Sequence, residues 1–178
     1  HSPERLALLG ELRHAIDVGE LVLHHQPKID LQTGRVVGAE ALVRWHHPKR
    51  GMISPAEFIP LAEETGAIVA MGEWALRTAC RDAAGGKIPG TVAVNLSPVQ
   101  FGRDDLADTI HAILLETGLS PRRLEVEVTE STIMSDPSRG LHILRKLKAM
   151  GISVAMDDFG TGYSSLATLH AFPFDKIK

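Results

Sequence analysis

The sequence has a single cysteine, Cys80, in 178 residues. No internal disulfide can form, so a cross-linked secreted scaffold is excluded and a reduced, cytoplasmic setting is expected. Aromatic residues make up 4%, and Trp45 and Trp74 are expected to pack rather than to stack on bases. Neither sign of charge dominates: 19 basic against 22 acidic residues leave a net charge of −3. With no basic stripe, a nucleic-acid polymer is not an expected partner. No apolar run approaches the roughly 20 residues of a membrane span. The start, His1-Ser2-Pro3-Glu4, has neither an initiator Met nor a basic-then-apolar leader. It is expected to be a cut from a longer protein, whose other parts include a membrane anchor in one version of this reading. Low-complexity segments, a Gly-rich dinucleotide fingerprint and a Gly-Lys-Ser/Thr phosphate loop are all missing.

What remains is an ordinary globular composition, 44% hydrophobic and 23% charged. Leu6, Leu9, Leu12, Arg13 and Ile16 recur at helical spacing, which predicts a helix over 5–19 ended by Gly19. A strand is predicted from Leu21 to Gln26, closed by Pro27, and a second from Val36 to Trp45. Ser54-Pro55-Ala56-Glu57 reads as a capping box opening a short helix. Further helices are predicted over 68–84, from Asp104 to Thr117 and from Pro137, capped by Asp136, to Gly151. A short one is expected from Ser164-Ser165. Further strands are expected over 92–94, 124–128, 152–156 and 174–178.

Strands alternating with helices predict an α/β fold with a mainly parallel sheet. Polar residues close successive strands at Asn95, Glu127 and Asp157, spaced 32 and 30 residues apart. A TIM-type (β/α) barrel of about 250 residues in eight units averages about 31 per unit. That favours a barrel, although an open doubly wound sheet has similar spacing. Six strands are counted where a barrel has eight. The chain is therefore expected to be truncated after the sixth strand, lacking its last two βα units.

Side chains alternate faces along a strand. Glu40, Leu42 and Arg44 share one face, and so do Glu125, Glu127 and Thr129. With Asn95 and with Asp157-Asp158, four strands each deliver a carboxylate or amide near one end. In a barrel these ends meet at one mouth. Several acids there call for a cation, and oxygen donors without a Cys or His set suit Mg²⁺ or Mn²⁺. Zinc at His24-His25 or His46-His47 is disfavoured, because adjacent strand residues point to opposite faces. Cys80 is read as core packing rather than as a nucleophile.

The same residues carry a family resemblance. Glu40-Ala41-Leu42 lies within Ala39-Glu40-Ala41-Leu42-Val43-Arg44-Trp45. Then follow Phe58-Ile59-Pro60-Leu61-Ala62-Glu63, Val94-Asn95-Leu96-Ser97, Glu127-Val128-Thr129-Glu130 and Asp157-Asp158-Phe159-Gly160-Thr161-Gly162-Tyr163-Ser164-Ser165-Leu166. A lone tripeptide is no signal, but five blocks in order over about residues 20–178 are specific. The chain resembles the EAL family of bacterial cyclic di-GMP phosphodiesterases. The resemblance implies a TIM-type barrel whose first strand runs antiparallel, and hydrolysis of cyclic di-GMP to linear pGpG with Mg²⁺ or Mn²⁺ in second-messenger signalling. It implies Glu40, Asn95, Glu127, Asp157 and Asp158 as metal ligands, and Lys178 as the lysine that orients or activates the attacking water. Gln26, Leu42 and Arg44 would contact substrate, and Glu130 would brace the loop 158–165. The resemblance also implies that the loop 158–165 helps place a second metal and contributes to the contacts of a homodimer; a dimer formed over Tyr163–His170 without nucleotide affinity would instead mark a scaffold.

On this reading residues 1–19 form a helix or linker from an upstream sensory or diguanylate-cyclase domain, and 20–178 form the phosphodiesterase domain. A seventh-strand Glu and an eighth-strand Gln expected of the family lie outside this sequence, so the chain alone is expected to be weakly active or inactive. The alternative is a regulatory domain that binds cyclic di-GMP or dimerises without cleaving.

Overall fold

The computed structural model describes residues 3–157 and 174–177. Helix α1 (Pro3–Val18) leads into β1 (Leu21–Ile29), β2 (Val36–His47) and β3 (Gly51–Ile53). Helices α2 (Pro55–Thr65) and α3 (Ala67–Ala84) then precede β4 (Thr91–Asn95), followed by α4 (Pro98–Phe101) and α5 (Leu106–Thr117). A 3-10 turn, Pro121–Arg123, feeds β5 (Leu124–Thr129), after which come α6 (Glu130–Met134), α7 (Pro137–Ala149), β6 (Ser153–Asp157) and β7 (Lys176–Ile177). The sheet order is β1-β2-β4-β5-β6-β7, with β3 paired to β2. β1 is antiparallel to β2; β2, β4, β5, β6 and β7 are parallel. The α/β class and the antiparallel first strand are as expected.

Curvature separates a barrel wall from an open sheet. Strands β1 and β5 lie three steps apart, roughly 14 Å in a flat sheet at the usual spacing. Yet Lys28 Nζ on β1 is 3.1 Å from Glu125 Oε2 on β5. Lys176 Nζ on β7, two steps away on the other side, is 2.9 Å from Glu125 Oε1. Side chains from both end strands thus meet one carboxylate in the middle, so the sheet curls as a TIM-type wall does.

The convex face of the wall carries the helices. Ala39, Ala41, Val92, Val94, Leu124, Val126 and Val154 form one buried cluster with Leu76, Cys80, Ile110, Leu144 and Leu147. A second cluster joins Leu8, Leu12 and Ala15 of α1 to Trp45, Phe58, Leu61 and Met71. Trp45 is fully buried, edge-on to Phe58, and its indole N–H donates to Glu20 Oε1 at 3.2 Å. Packing is its role, as expected.

Several local expectations are corrected. The buried stripe of α1 is Leu8, Leu12 and Ala15, while Leu6 is exposed. Pro27 does not close β1: it pairs with Ala39 and the strand runs on to Ile29, because an end strand tolerates a missing N–H. Ser54 caps α2 by accepting from Ala56 N, but Glu57 turns to Arg50 at 2.9 Å, so the box is not reciprocal. The complete capping box is at Ser97 and Gln100. Asp104 precedes its helix and pairs with Arg139. With β3, which is only three residues long, the described strands number seven rather than six. The short helix expected from Ser164-Ser165 lies outside the described residues. So do Asp158, the loop 158–165, Tyr163–His170 and Lys178.

Candidate functional site at the strand ends

The parallel register sets the rim. Asn95 is aligned with Glu127 across β4 and β5. Glu40 is aligned with Gln26 on one side and Ala93 on the other. Asp157 is aligned with Thr129. Because β4 reaches its end at Asn95, the amide leans back to Glu40: Asn95 Nδ2 donates to Glu40 Oε2 at 3.4 Å. Asn95, Glu127 and Asp157 line one cavity of about 350 Å³ together with Leu42 and Arg44. Glu127 is buried, Glu40 and Asp157 are half-buried, and Asn95 and Gln26 are exposed. The structure therefore brings Glu40, Asn95, Glu127 and Asp157 to one rim, with Leu42 and Arg44 on its wall. Arg44 Nη1 donates to the Val43 carbonyl at 2.9 Å.

Glu130 is buried at the first position of α6. The cap belongs to Thr129, whose Oγ1 accepts from Thr132 N at 3.2 Å. A larger cleft, about 600 Å³, lies against α1 and is lined by Glu11, Arg50 and Glu57. Arg50 pairs with Glu57 and Glu11 with His47 there, and none of the rim residues reaches it. Cys80 is buried in the helix-side core, and burial pushes its thiol up to about 11, so it is no thiolate nucleophile.

Several contributors carry no role in the sequence reading. Glu63 Oε2 accepts from Ser97 Oγ at 3.0 Å, tying α2 to the turn after Asn95. Gln100 Oε1 accepts from Ser97 N at 3.0 Å. Gln100 in turn occupies the space a side chain at Gly72 would need: a Cβ there would stand 2.0 Å from Gln100 Nε2. Beneath the rim, Lys28 and Lys176 clamp Glu125, which is 1% exposed. Burial pushes the Glu125 carboxyl up, but hydrogen bonds from Lys176 and Lys28, with their charges, outweigh it and hold the group below its ordinary value. Strand parity was the available signal: Lys28 lies two residues from Gln26, Lys176 two from Lys178 and Glu125 two from Glu127.

The donor chemistry fits a hard divalent cation: carboxylate and amide oxygens, with neither thiolate nor imidazole. Among the described residues no three Asp, Glu, His or Cys side chains gather closely enough to hold an ion by themselves.

A curled parallel wall with an antiparallel first strand belongs to the (β/α)-barrel class, and its acidic rim is the candidate site. The EAL domain family model matches residues 9–178, and the chain belongs to that family. It is 55% identical over 98% of its length to an uncharacterized signaling protein of Caulobacter vibrioides, covering 22% of that protein. It is 47% identical over its whole length to the bifunctional diguanylate cyclase/cyclic di-GMP phosphodiesterase MucR of Pseudomonas aeruginosa, covering 27% of it. The chain thus spans about a fifth to a quarter of these curated relatives. A solved structure of the MucR phosphodiesterase in complex with c-di-GMP superposes with a TM-score of 0.91 at 47% identity, over 96% of this chain and 71% of that one.

Proposed function

We propose that this domain hydrolyses cyclic di-GMP to linear pGpG with the help of Mg²⁺ or Mn²⁺. One observation carries the reading: Glu40, Asn95, Glu127 and Asp157 arrive from four neighbouring strands at one rim. Stability alone does not call for acids at successive strand ends. Relatives named as cyclic di-GMP phosphodiesterases, MucR and NbdA of Pseudomonas aeruginosa and PdeR of Escherichia coli, support the choice of substrate.

In this reading Glu40, Asn95, Glu127, Asp157 and Asp158 hold the cation. When bound, it polarises a phosphoryl oxygen and makes water a better nucleophile near neutral pH. The chain's own groups do the rest. Arg44 presents a permanently charged, forked donor to a phosphate, after leaving the Val43 carbonyl. Leu42 offers an apolar wall to the nucleotide, and Gln26, at the exposed edge of the rim, an amide. Lys178 orients the attacking water. The water oxygen bonds to phosphorus and one sugar oxygen leaves as a hydroxyl, so a cyclic diester opens to a linear dinucleotide with a terminal phosphate. Glu63 and Ser97 fix the turn that carries Asn95. Glu130 braces the loop 158–165 in this reading. A cytoplasmic location, a homodimer and attached regulatory domains complete it.

The test is hydrolysis of cyclic di-GMP by the whole protein with Mg²⁺, Mn²⁺ or EDTA, beside Glu40→Ala. Turnover with either metal, none in EDTA, and a loss of roughly a thousandfold in Glu40→Ala are expected, the scale for removing a preorganised electrostatic contact. Unchanged turnover in Glu40→Ala would sink the site assignment. Tight binding without cleavage would favour the regulatory alternative.

A further inference from the structure

We propose that Lys28 is a positioning residue for Glu127, reaching across the barrel interior to hold that carboxylate from beneath, with Glu125 as its seat. The inference rests on reading Glu127 as a metal ligand.

The layer below the rim is unusual. Barrel interiors are filled by branched apolar side chains, but here the interior face of β5 carries Glu125 and Glu127, 1% and 2% exposed. Glu125 is held on both oxygens, Oε1 by Lys176 at 2.9 Å and Oε2 by Lys28 at 3.1 Å. It cannot rotate without losing one lysine. Lysine is a compact charge on a flexible stem and needs such pinning to act at a defined point. Pinned there, Lys28 Nζ stands 3.6 Å from Glu127 Oε1, an ion-pair distance. It comes from β1, so it ties the first strand to the fourth one along the wall through the barrel interior.

Groups that orient a ligand from outside the coordination sphere commonly matter as much as the ligand's own placement. Among the described residues Lys176 pairs with Glu125, the carboxylate two positions from Glu127, which makes it the natural control. The sign separates positioning from charge. An ammonium beside a cation site repels the ion, so if charge alone mattered, removing Lys28 would tighten metal binding. If it positions Glu127, removing it loosens binding.

The experiment is a Mn²⁺ titration of the whole protein, with free Mn²⁺ read by electron paramagnetic resonance, and thermal melting in EDTA. The variants are Lys28→Met, Lys28→Arg, Lys176→Met and Glu127→Gln. Lys28→Met is expected to weaken Mn²⁺ binding about tenfold or more, Lys28→Arg to recover most of the loss, and Lys176→Met to shift affinity by less than about threefold while lowering the melting temperature similarly. Should Lys28→Met not fold, Lys28→Gln makes the same comparison. Unchanged or tighter binding without Lys28, or an equal loss in Lys176→Met, overturns the proposal. Wild-type affinity in Glu127→Gln would instead refute the reading of Glu127 as a ligand, a separate failure.

Discussion

The two faces of β5 are equally dry and chemically opposite. Leu124, Val126 and Val128 are at most 1% exposed on the helix side, and Glu125 and Glu127 at most 2% on the interior side. On the helix side, burial does the expected thing: each aliphatic side chain taken from water contributes about 1.5–3 kcal/mol. On the interior side, burial of charge costs free energy that ion pairs repay only in part. A wall built for stability alone would carry aliphatics on both faces. The difference teaches that the interior face is not built for stability alone: Glu125 and its two lysines form a charged floor beneath Glu40, Asn95, Glu127 and Asp157, which on the function proposed above serves the rim.

Neighbouring substitutions on β5 sharpen that contrast. Leu124→Ala is expected to lower unfolding free energy by about 2–5 kcal/mol, the cost of an aliphatic cavity, with metal affinity of the folded protein unchanged. Glu125→Gln should cost less, about 1–2 kcal/mol, since Lys28 and Lys176 keep access to water, yet should disturb Mn²⁺ binding more. Urea unfolding and Mn²⁺ titration of the two variants check both statements. The comparison breaks if Leu124→Ala loosens the metal or Glu125→Gln leaves its affinity intact.

A smaller effect belongs to the start of β7. Asp175 accepts from Val154 N at 2.7 Å and pairs with Lys148. Burial pushes its carboxyl up, but Lys148 and the Val154 N–H outweigh that and hold it below the ordinary value. A depressed folded value means the contribution is present above the unfolded pKa, about 3.9, and is lost as pH falls through the folded one. Asp175→Asn should therefore lower the melting temperature slightly at pH 7, and the gap from wild type should close below about pH 4. A gap that persists in acid would mean the carboxylate charge is not what holds the β7 end.

Much of this was legible because strand periodicity is short and strict. The alternation in Ala39–Arg44 and Leu124–Thr129 assigns faces from the sequence alone, and the polar residues at 95, 127 and 157 locate the strand ends. Curvature was not legible, because spacing near 31 residues fits open and closed sheets alike. It emerged only when Lys28 and Lys176 met at Glu125. The floor of lysines was missed because a lysine on an end strand reads as solvated until the wall curls over it. Pro27 misled for a related reason: a proline closes a central strand but not an end strand. The Ser54 box failed because Arg50, brought near by the β3 turn, competes for Glu57, a contact no local pattern encodes.

The central claim is that acids from separate strands share one divalent ion at the rim. An anomalous-scattering map of crystals of the whole protein grown with Mn²⁺ tests it most directly. The account predicts a peak at about 2.0–2.3 Å from oxygens of Glu40, Asn95, Glu127 and Asp157. A Mn²⁺ peak bound elsewhere, with those four side chains bearing no ion at saturating metal, would contradict it.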